Sequence, residues 1–414
     1  MKKERFHTKA HLYLAILIAF CLPIARFTPI VIAAMVLNWL IEADFKNKFQ
    51  AILQNKFALL FIAFYLLHLI GLLYTENINS GLFDIQVKLS LLLFPVMLAS
   101  RPLSKENKNK IFGGLITGGL VSSLIMLTRA IYIYISTGSN KFFYTEFSIL
   151  LHPSYLSMYL NVAISWLFIH LLQNKFIGKK FLSFSAMAII LFFSFITILL
   201  SSKMGLITMV ISYISFLSYY IINRKKFLLG TMGLAITLVS IYAILRFVPG
   251  INARINSAIN AVTNPNIDVK DAESTAVRML VWKAANQVIS ENFIAGSGTG
   301  DAKDALIKEY ERQGMTGAYE HKLNAHNEFY QVFVALGLIG FLLLLAHLLF
   351  PLIDAFRNNN IIYVLFLIIT ILNFSTESML ETEAGVIFFA FFNSLLCFSE
   401  NKAINPRTIE PNNQ

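Results

Sequence analysis

The sequence predicts an all-α polytopic membrane protein with about 12 transmembrane helices and a folded helical outer loop before the tenth. Three observations carry this. Apolar residues make up 57% of the chain and charged residues only 14%, with 37 Phe among the aromatics, far from the balance of a soluble domain. Apolar stretches of roughly 20 residues, the length that crosses a bilayer at about 1.5 Å rise per residue, recur along the chain. Basic residues collect in alternate loops between them.

The first stretch, Leu12 to Ala25, follows Lys2, Lys3, Arg5 and Lys9 in the manner of a signal peptide. It lacks a small-x-small cleavage site and runs into a second apolar segment, so it reads as a retained signal-anchor helix. The spans are expected at roughly 12–26, 27–43, 57–74, 82–99, 111–136, 153–173, 181–200, 204–222, 227–247, 326–352, 360–376 and 384–399. The first two are short and divide around Pro23 and Pro29. The break at Ser201 to Lys203 is tight enough for one bent feature or two crossings. This gives four units: spans one to nine over 1–247, a loop over 248–325, spans ten to twelve over 326–399, and a tail over 400–414. Cys21 and Cys397 lie in apolar segments and imply no disulfide. No transporter-like internal repeat stands out.

Charge checks the topology. Lys46, Lys48 and Lys56, then Arg101, Lys105, Lys108 and Lys110, then Lys175, Lys179 and Lys180, then Arg224, Lys225 and Lys226 occupy alternate loops. The loops between carry little beyond Arg26, Lys141 and Lys203. The positive-inside rule makes the first set and both termini cytoplasmic and puts 248–325 outside. The net charge of +11 is therefore topological, spread over short loops, and argues against a nucleic-acid partner. Within the outer loop, Val277, Leu280, Val281, Ala284 and Val288 predict a helix over 276–289. Residues 301–312 read as a charged surface helix, with Gly296-Ser297-Gly298-Thr299-Gly300 breaking the two apart.

Several cations lie where lipid is expected. Lys88 falls about six residues, roughly 9 Å, into the fourth span, and Arg129 about seven residues from the outer end of the fifth. Lys203 sits at the turn between the seventh and eighth, and Arg246 closes the ninth. A mid-membrane charge costs about 2.5–3.5 kcal/mol on insertion scales. Each has a plain structural reading as well: an i, i+4 pair of Lys88 with Asp84, a snorkelling Arg129, a loop Lys203, an interfacial Arg246. Together they suit an anionic diphosphate at the outer surface.

The loop adds His326-Asn327 where polar chain meets the tenth span, and Arg278 with Trp282 one turn on. A planar guanidinium suits phosphate, and imidazole titrates near neutral pH. His321 and His152 compete for the base role. The glycine run has no preceding strand and no Gly-Lys-Ser/Thr, so it reads as a helix-breaking connector and not a nucleotide loop. No His, Cys and carboxylate cluster has metal-ligand spacing, and no Asp-x-Asp lies outside. Glu377, Glu381 and Glu383 in the last outer turn read equally as a solvated acidic loop, as sugar ligands or as orienters of a histidine.

His326-Asn327, nine residues, Gly337, two residues and Gly340 fit a His-Asn-x9-Gly-x2-Gly signature. With Val277-Arg278, Trp282 and Gly296-Ser297-Gly298, and with Ser201-Ser202-Lys203-Met204-Gly205, the chain resembles the O-antigen ligase/polymerase family of bacterial inner-membrane glycosyltransferases. Lys203 stands where that family usually has arginine, and this loses a bidentate fork. The resemblance implies a metal-independent, inverting transfer of glycan from undecaprenyl diphosphate, without a cofactor, on the periplasmic side of the inner membrane. Ligases of the family use lipid A core as acceptor. His326 would then be the catalytic base and Arg278 the stabiliser of the leaving diphosphate, with Lys88, Arg129, Lys203 and Asn327 binding substrate. A polymerase or a protein O-glycosylating relative differs in acceptor. A transporter of lipid-linked glycan would instead spread polar residues through the midplane.

Overall fold

The computed structural model describes residues 2–173, 180–225, a few positions between 227 and 239, and 275–398. The expected ninth span, with Arg246, and the first part of the 248–325 loop lie outside the described residues. All regular elements among the described residues are helical. The first half comprises α1 (Lys2–Cys21), α2 (Thr28–Glu42), α3 (Phe45–Leu53), α4 (Lys56–Leu72), α5 (Ile78–Lys88), α6 (Ser90–Ser100), α7 (Lys105–Thr137) and the short α8 (Tyr144–Phe147). It continues with α9 (Pro153–Leu172), α10 (Lys180–Leu200) and α11 (Lys203–Arg224). Beyond 274 come α12 (Thr275–Glu291), α13 (Ala302–Arg312), α14 (Thr316–Glu320), α15 (Glu328–Arg357), α16 (Ile361–Phe374) and α17 (Glu383–Cys397).

Seven helical stretches are long and apolar enough to cross a membrane, or eight if α2 and α3 count as one span bent by 112°. The helices α4, α16 and α17 are apolar but shorter. Each expected span other than the ninth falls on one of these helices. The break at Ser201, whose φ is +49°, separates α10 from α11 as two helices.

α9 is the hub, with 89% of its apolar window buried. It packs against α7, α10, α11 and α16. Lipid supplies no hydrophobic drive between helices, so small and polar contacts hold such pairs. Asn161 of α9 donates to the Gly205 carbonyl at 2.7 Å and to Thr208 at 2.8 Å, and Ser165 meets Ser212 at 2.9 Å.

The 275–325 segment is folded, as its periodicity predicts. Val277, Val281, Ala284, Leu306, Tyr310 and Met315 form a small apolar core that reaches Val334 and Leu336 of α15. α15 is broken at Gly337, whose φ of +62° and ψ of −159° interrupt the helix and free nearby carbonyls. The glycine connector takes them: the amides of Ser297 and Gly298 donate to Val334 and Ala335 at 2.8 and 3.0 Å, and Leu338 donates to Phe293 at 2.8 Å. The same connector reaches α4, where Thr299 donates to the His68 carbonyl at 2.8 Å. Asp301 then accepts from the amides of Glu76 and Asn77 at 2.7 and 2.8 Å. The glycine run is thus a strap that locks the loop segment onto two helices.

Gly337 has no substitute here. A Cβ at this position would lie 2.3 Å from the Ile294 carbonyl oxygen, in a conformation L side chains rarely adopt. Gly337→Ala is expected to lower stability by at least about 1–3 kcal/mol. Thermal unfolding in detergent would register this as a lower midpoint; an unchanged midpoint would mean the strap does not depend on that close approach.

Candidate active site

The site forms where α15 begins, because residues on either side of His326 are stapled to the turn between α16 and α17. Asn327 caps α15, its side-chain oxygen accepting from the amides of Phe329 and Tyr330 at 2.9 and 3.3 Å. Its side-chain nitrogen donates to the Ser375 carbonyl at 3.0 Å, and its backbone amide to the Ser378 hydroxyl at 3.2 Å. Glu328, fully buried, accepts from the Leu380 amide at 2.7 Å. Three bonds therefore fix the acidic turn against the start of the helix.

His326 then faces Glu377. Its Nδ1 lies 3.3 Å from one Glu377 carboxylate oxygen. An Arg278 guanidinium nitrogen donates to the other oxygen at 2.6 Å. Arg278 arrives on α12, which Trp282 anchors one turn on: the indole nitrogen donates to the Ala325 carbonyl at 3.0 Å and the ring stacks on Tyr330. His326 itself has φ +46°, a left-handed backbone that costs a non-glycine residue about 1–3 kcal/mol. Asn324 steadies it by accepting the His326 amide at 3.0 Å. All three side chains of the group are partly exposed, Arg278 at 27%, His326 at 25% and Glu377 at 18%.

Burial pushes the Glu377 carboxyl upward, but the hydrogen bond from His326 and the charges of Arg278, His326 and His152 outweigh it. The net result holds the group below the ordinary glutamate value. The charge of His152, at the start of α9, contributes to this lowering. His321 lies exposed at the end of α14. The Nδ1 of His326 meets Glu377 directly.

The other expected ligands are distributed differently. Lys88 was set against a diphosphate; the structure gives its ammonium to Asp84 and to Glu381, the latter at 2.9 Å, with the side chain 1% exposed. The ammonium is enclosed by two carboxylates, one of them its i, i+4 neighbour Asp84. Asn327, expected to bind substrate, gives its polar atoms to the cap and to the acidic turn. Arg129 donates to the Glu146 carbonyl at 3.0 Å. Lys203 is the first residue of α11, after Ser202, whose hydroxyl accepts from the Gly205 amide at 3.2 Å.

A cavity of about 250 Å³ lies beside the Lys88 cluster. Asp84, Lys88, Glu381, Gln331 and Asn324 line it, so the residue that steadies the His326 backbone also faces this space. Among the described residues no group of three His, Cys, Asp or Glu side chains is arranged to hold a metal ion. Sequence reasoning left Glu377 among three readings and overlooked Glu328. The available signal was an acidic turn between two otherwise apolar spans, and a carboxylate as the first residue of a membrane helix.

Residues 188–345 match the family model described as O-antigen ligase. This stretch is similar to the O-antigen ligase family. The match spans most of α10, α11, the described part of the loop segment and the first part of α15, so it includes Arg278, Lys203 and His326 but ends before Glu377. The chain is also similar to a protein of Haemophilus influenzae described only as uncharacterized, 24% identical over 391 residues that cover 90% of this chain and 92% of the relative. The family domain points to glycosyl transfer of the ligase or polymerase type, in a protein with several membrane-spanning helices.

A lowered carboxyl pKa contributes stability that is present above the unfolded value and is lost as pH falls through the folded one. The Glu377 bridge should therefore hold at neutral pH and fail only below the ordinary glutamate value of 4.5. Glu377→Gln is expected to reduce the acid loss of thermal stability between roughly pH 5 and 3. Parallel melting curves in detergent would check this, and identical acid profiles would count against the bridge.

Proposed function

We propose that the chain transfers a glycan from undecaprenyl diphosphate to a lipid A core acceptor, at the periplasmic face of a bacterial inner membrane, by metal-independent inverting displacement. The observation that carries this reading is the single Glu377 carboxylate shared by an imidazole and a guanidinium. The orientation rests on charge: this end of the bundle is opposite the basic residues at the start of α7 and the end of α15, which are expected in the cytoplasm with both termini.

In this reading His326 is the base. With Nδ1 held by Glu377, the other ring nitrogen takes the proton of the acceptor hydroxyl as its oxygen attacks the anomeric carbon. The bond from that carbon to the diphosphate breaks, and its electron pair leaves with undecaprenyl diphosphate. Glu377 stabilises the imidazolium that forms, and fixes the tautomer needed at the start. One guanidinium nitrogen of Arg278 serves Glu377, and the remaining donors of the fork face the growing charge on the leaving group. Arg129 and Lys203 are further diphosphate ligands. Lys88 acts at one remove, clamping Glu381 and with it the turn that carries Glu377.

Purified protein given undecaprenyl-diphosphate glycan and lipid A core should yield the ligated product. If elongated donor forms instead, the acceptor assignment fails and the chain is a polymerase. His326→Ala should lower turnover by about 10²–10⁴-fold with donor binding retained. Wild-type turnover in that variant would eliminate the base. Arg278→Lys, which keeps charge but loses the fork, should impair turnover more than Lys203→Arg; the reverse order would relocate the diphosphate. Addition of EDTA should leave turnover unchanged, and its loss would remove the metal-free mechanism.

A further inference from the structure

A second polar cavity, of about 170 Å³, opens at the other end of the bundle, between the start of α7, the end of α9 and the turn from α15 to α16. It is independent of the proposed reaction. Lys105 and Lys108, one turn apart, form one wall. Asn358, Asn359 and Asn360 form another. The inner wall is apolar and aromatic: Phe112 is 1% exposed, and Trp166 stacks on the buried His170 ring with centroids 3.7 Å apart. His170 is held in place by Asn109, 3.2 Å from its Nε2.

Lys105 and Lys108 bring positive charge to the mouth of this cavity. Lysines in the first turns of a helix oppose its dipole, which favours negative charge there. Glu106 is committed to Lys110 at 2.9 Å, on the exposed side of α7. The cavity also receives the start of α16, where Asn360 makes no side-chain cap and Ile361 and Ile362 line the space. Their amides have no intrahelical acceptor, so a second positive helix end faces the same volume as the two lysines. A polar, cationic mouth above an apolar aromatic wall, at the level where a membrane helix meets water, suits a ligand with a charged head and a hydrocarbon tail.

We infer that this cavity binds the phosphate of an anionic phospholipid, with Lys105 and Lys108 at the headgroup and the Trp166 side toward the glycerol and acyl chains. The occupant is a resident lipid of the leaflet opposite the candidate active site. A free phosphate ion would share the polar contacts and gain nothing from the apolar wall.

Delipidated full-length protein in detergent can be titrated with phosphatidylglycerol or phosphatidylcholine and the bound lipid counted by native mass spectrometry. One phosphatidylglycerol should bind saturably and in clear preference to phosphatidylcholine. The double variant Lys105→Gln, Lys108→Gln should bind it roughly 30-fold more weakly, two lysines each contributing about a factor of five. Lys110→Gln, which alters a lysine committed to Glu106, should bind as wild type. Equal affinity for the two lipids, or unchanged affinity in the double variant, would overturn the proposal. Displacement of the lipid by millimolar inorganic phosphate would overturn the lipid as ligand. Should the double variant fail to fold, the preference between lipids and the phosphate competition still decide with the wild-type protein.

Discussion

One carboxylate, that of Glu377, organises the functional end of this protein. It belongs to a short turn between two apolar helices, yet it holds an imidazole from the start of α15 and a guanidinium from α12 on its two oxygens. Those groups come from chain segments 51 and 99 residues away. A carboxylate between two such donors is a strong charge-assisted node, and in a partly buried setting it is less screened than a surface pair. Without it, nothing in the described contacts sets the His326 ring and the Arg278 guanidinium at a common point.

The rest of the fold serves to keep that node in place. Asn327 and Glu328 staple the start of α15 to the Glu377 turn, and the Trp282 indole docks α12 beside the same start. The glycine strap does the larger job, since it fastens the whole loop segment to the kink in α15 and to the end of α4. Lys88, Asp84 and Glu381 tie α5 to the other end of the acidic turn. Each of these is a backbone or charged contact, not apolar packing alone. This is the expected currency of cohesion where a membrane bundle meets water.

Much of the fold was legible because a bilayer simplifies sequence. Spans must be long, apolar and helical, so their places follow from hydropathy, and the loop helices follow from the spacing of Val277, Val281, Ala284 and Val288. The helix-breaking reading of the glycine run was also correct, although its partner, the φ of +62° at Gly337, could not be read from spacing. The site was legible in part. His326 and Arg278 stood out as polar groups beside membrane, and the structure brings them together. A charge in an apolar segment signals a partner without naming it, and for Lys88 the structure supplies Asp84 and Glu381. An Asn before a helix is a cap first, and the Asn327 side-chain oxygen takes that role while its nitrogen binds the acidic turn. Glu377 was named but unassigned, since only tertiary structure says which of several acidic residues meets the histidine.

The central claim is that Arg278 acts on the site through Glu377, the carboxylate it shares with His326. A double-mutant cycle on turnover tests it most directly, with Arg278→Lys, Glu377→Gln and the pair measured under one set of conditions. The account predicts strong non-additivity, the double variant falling little further than the worse single one, with a coupling of about 0.5–3 kcal/mol. Losses that simply add would show that the two side chains work separately, and would contradict the shared carboxylate as the organising element.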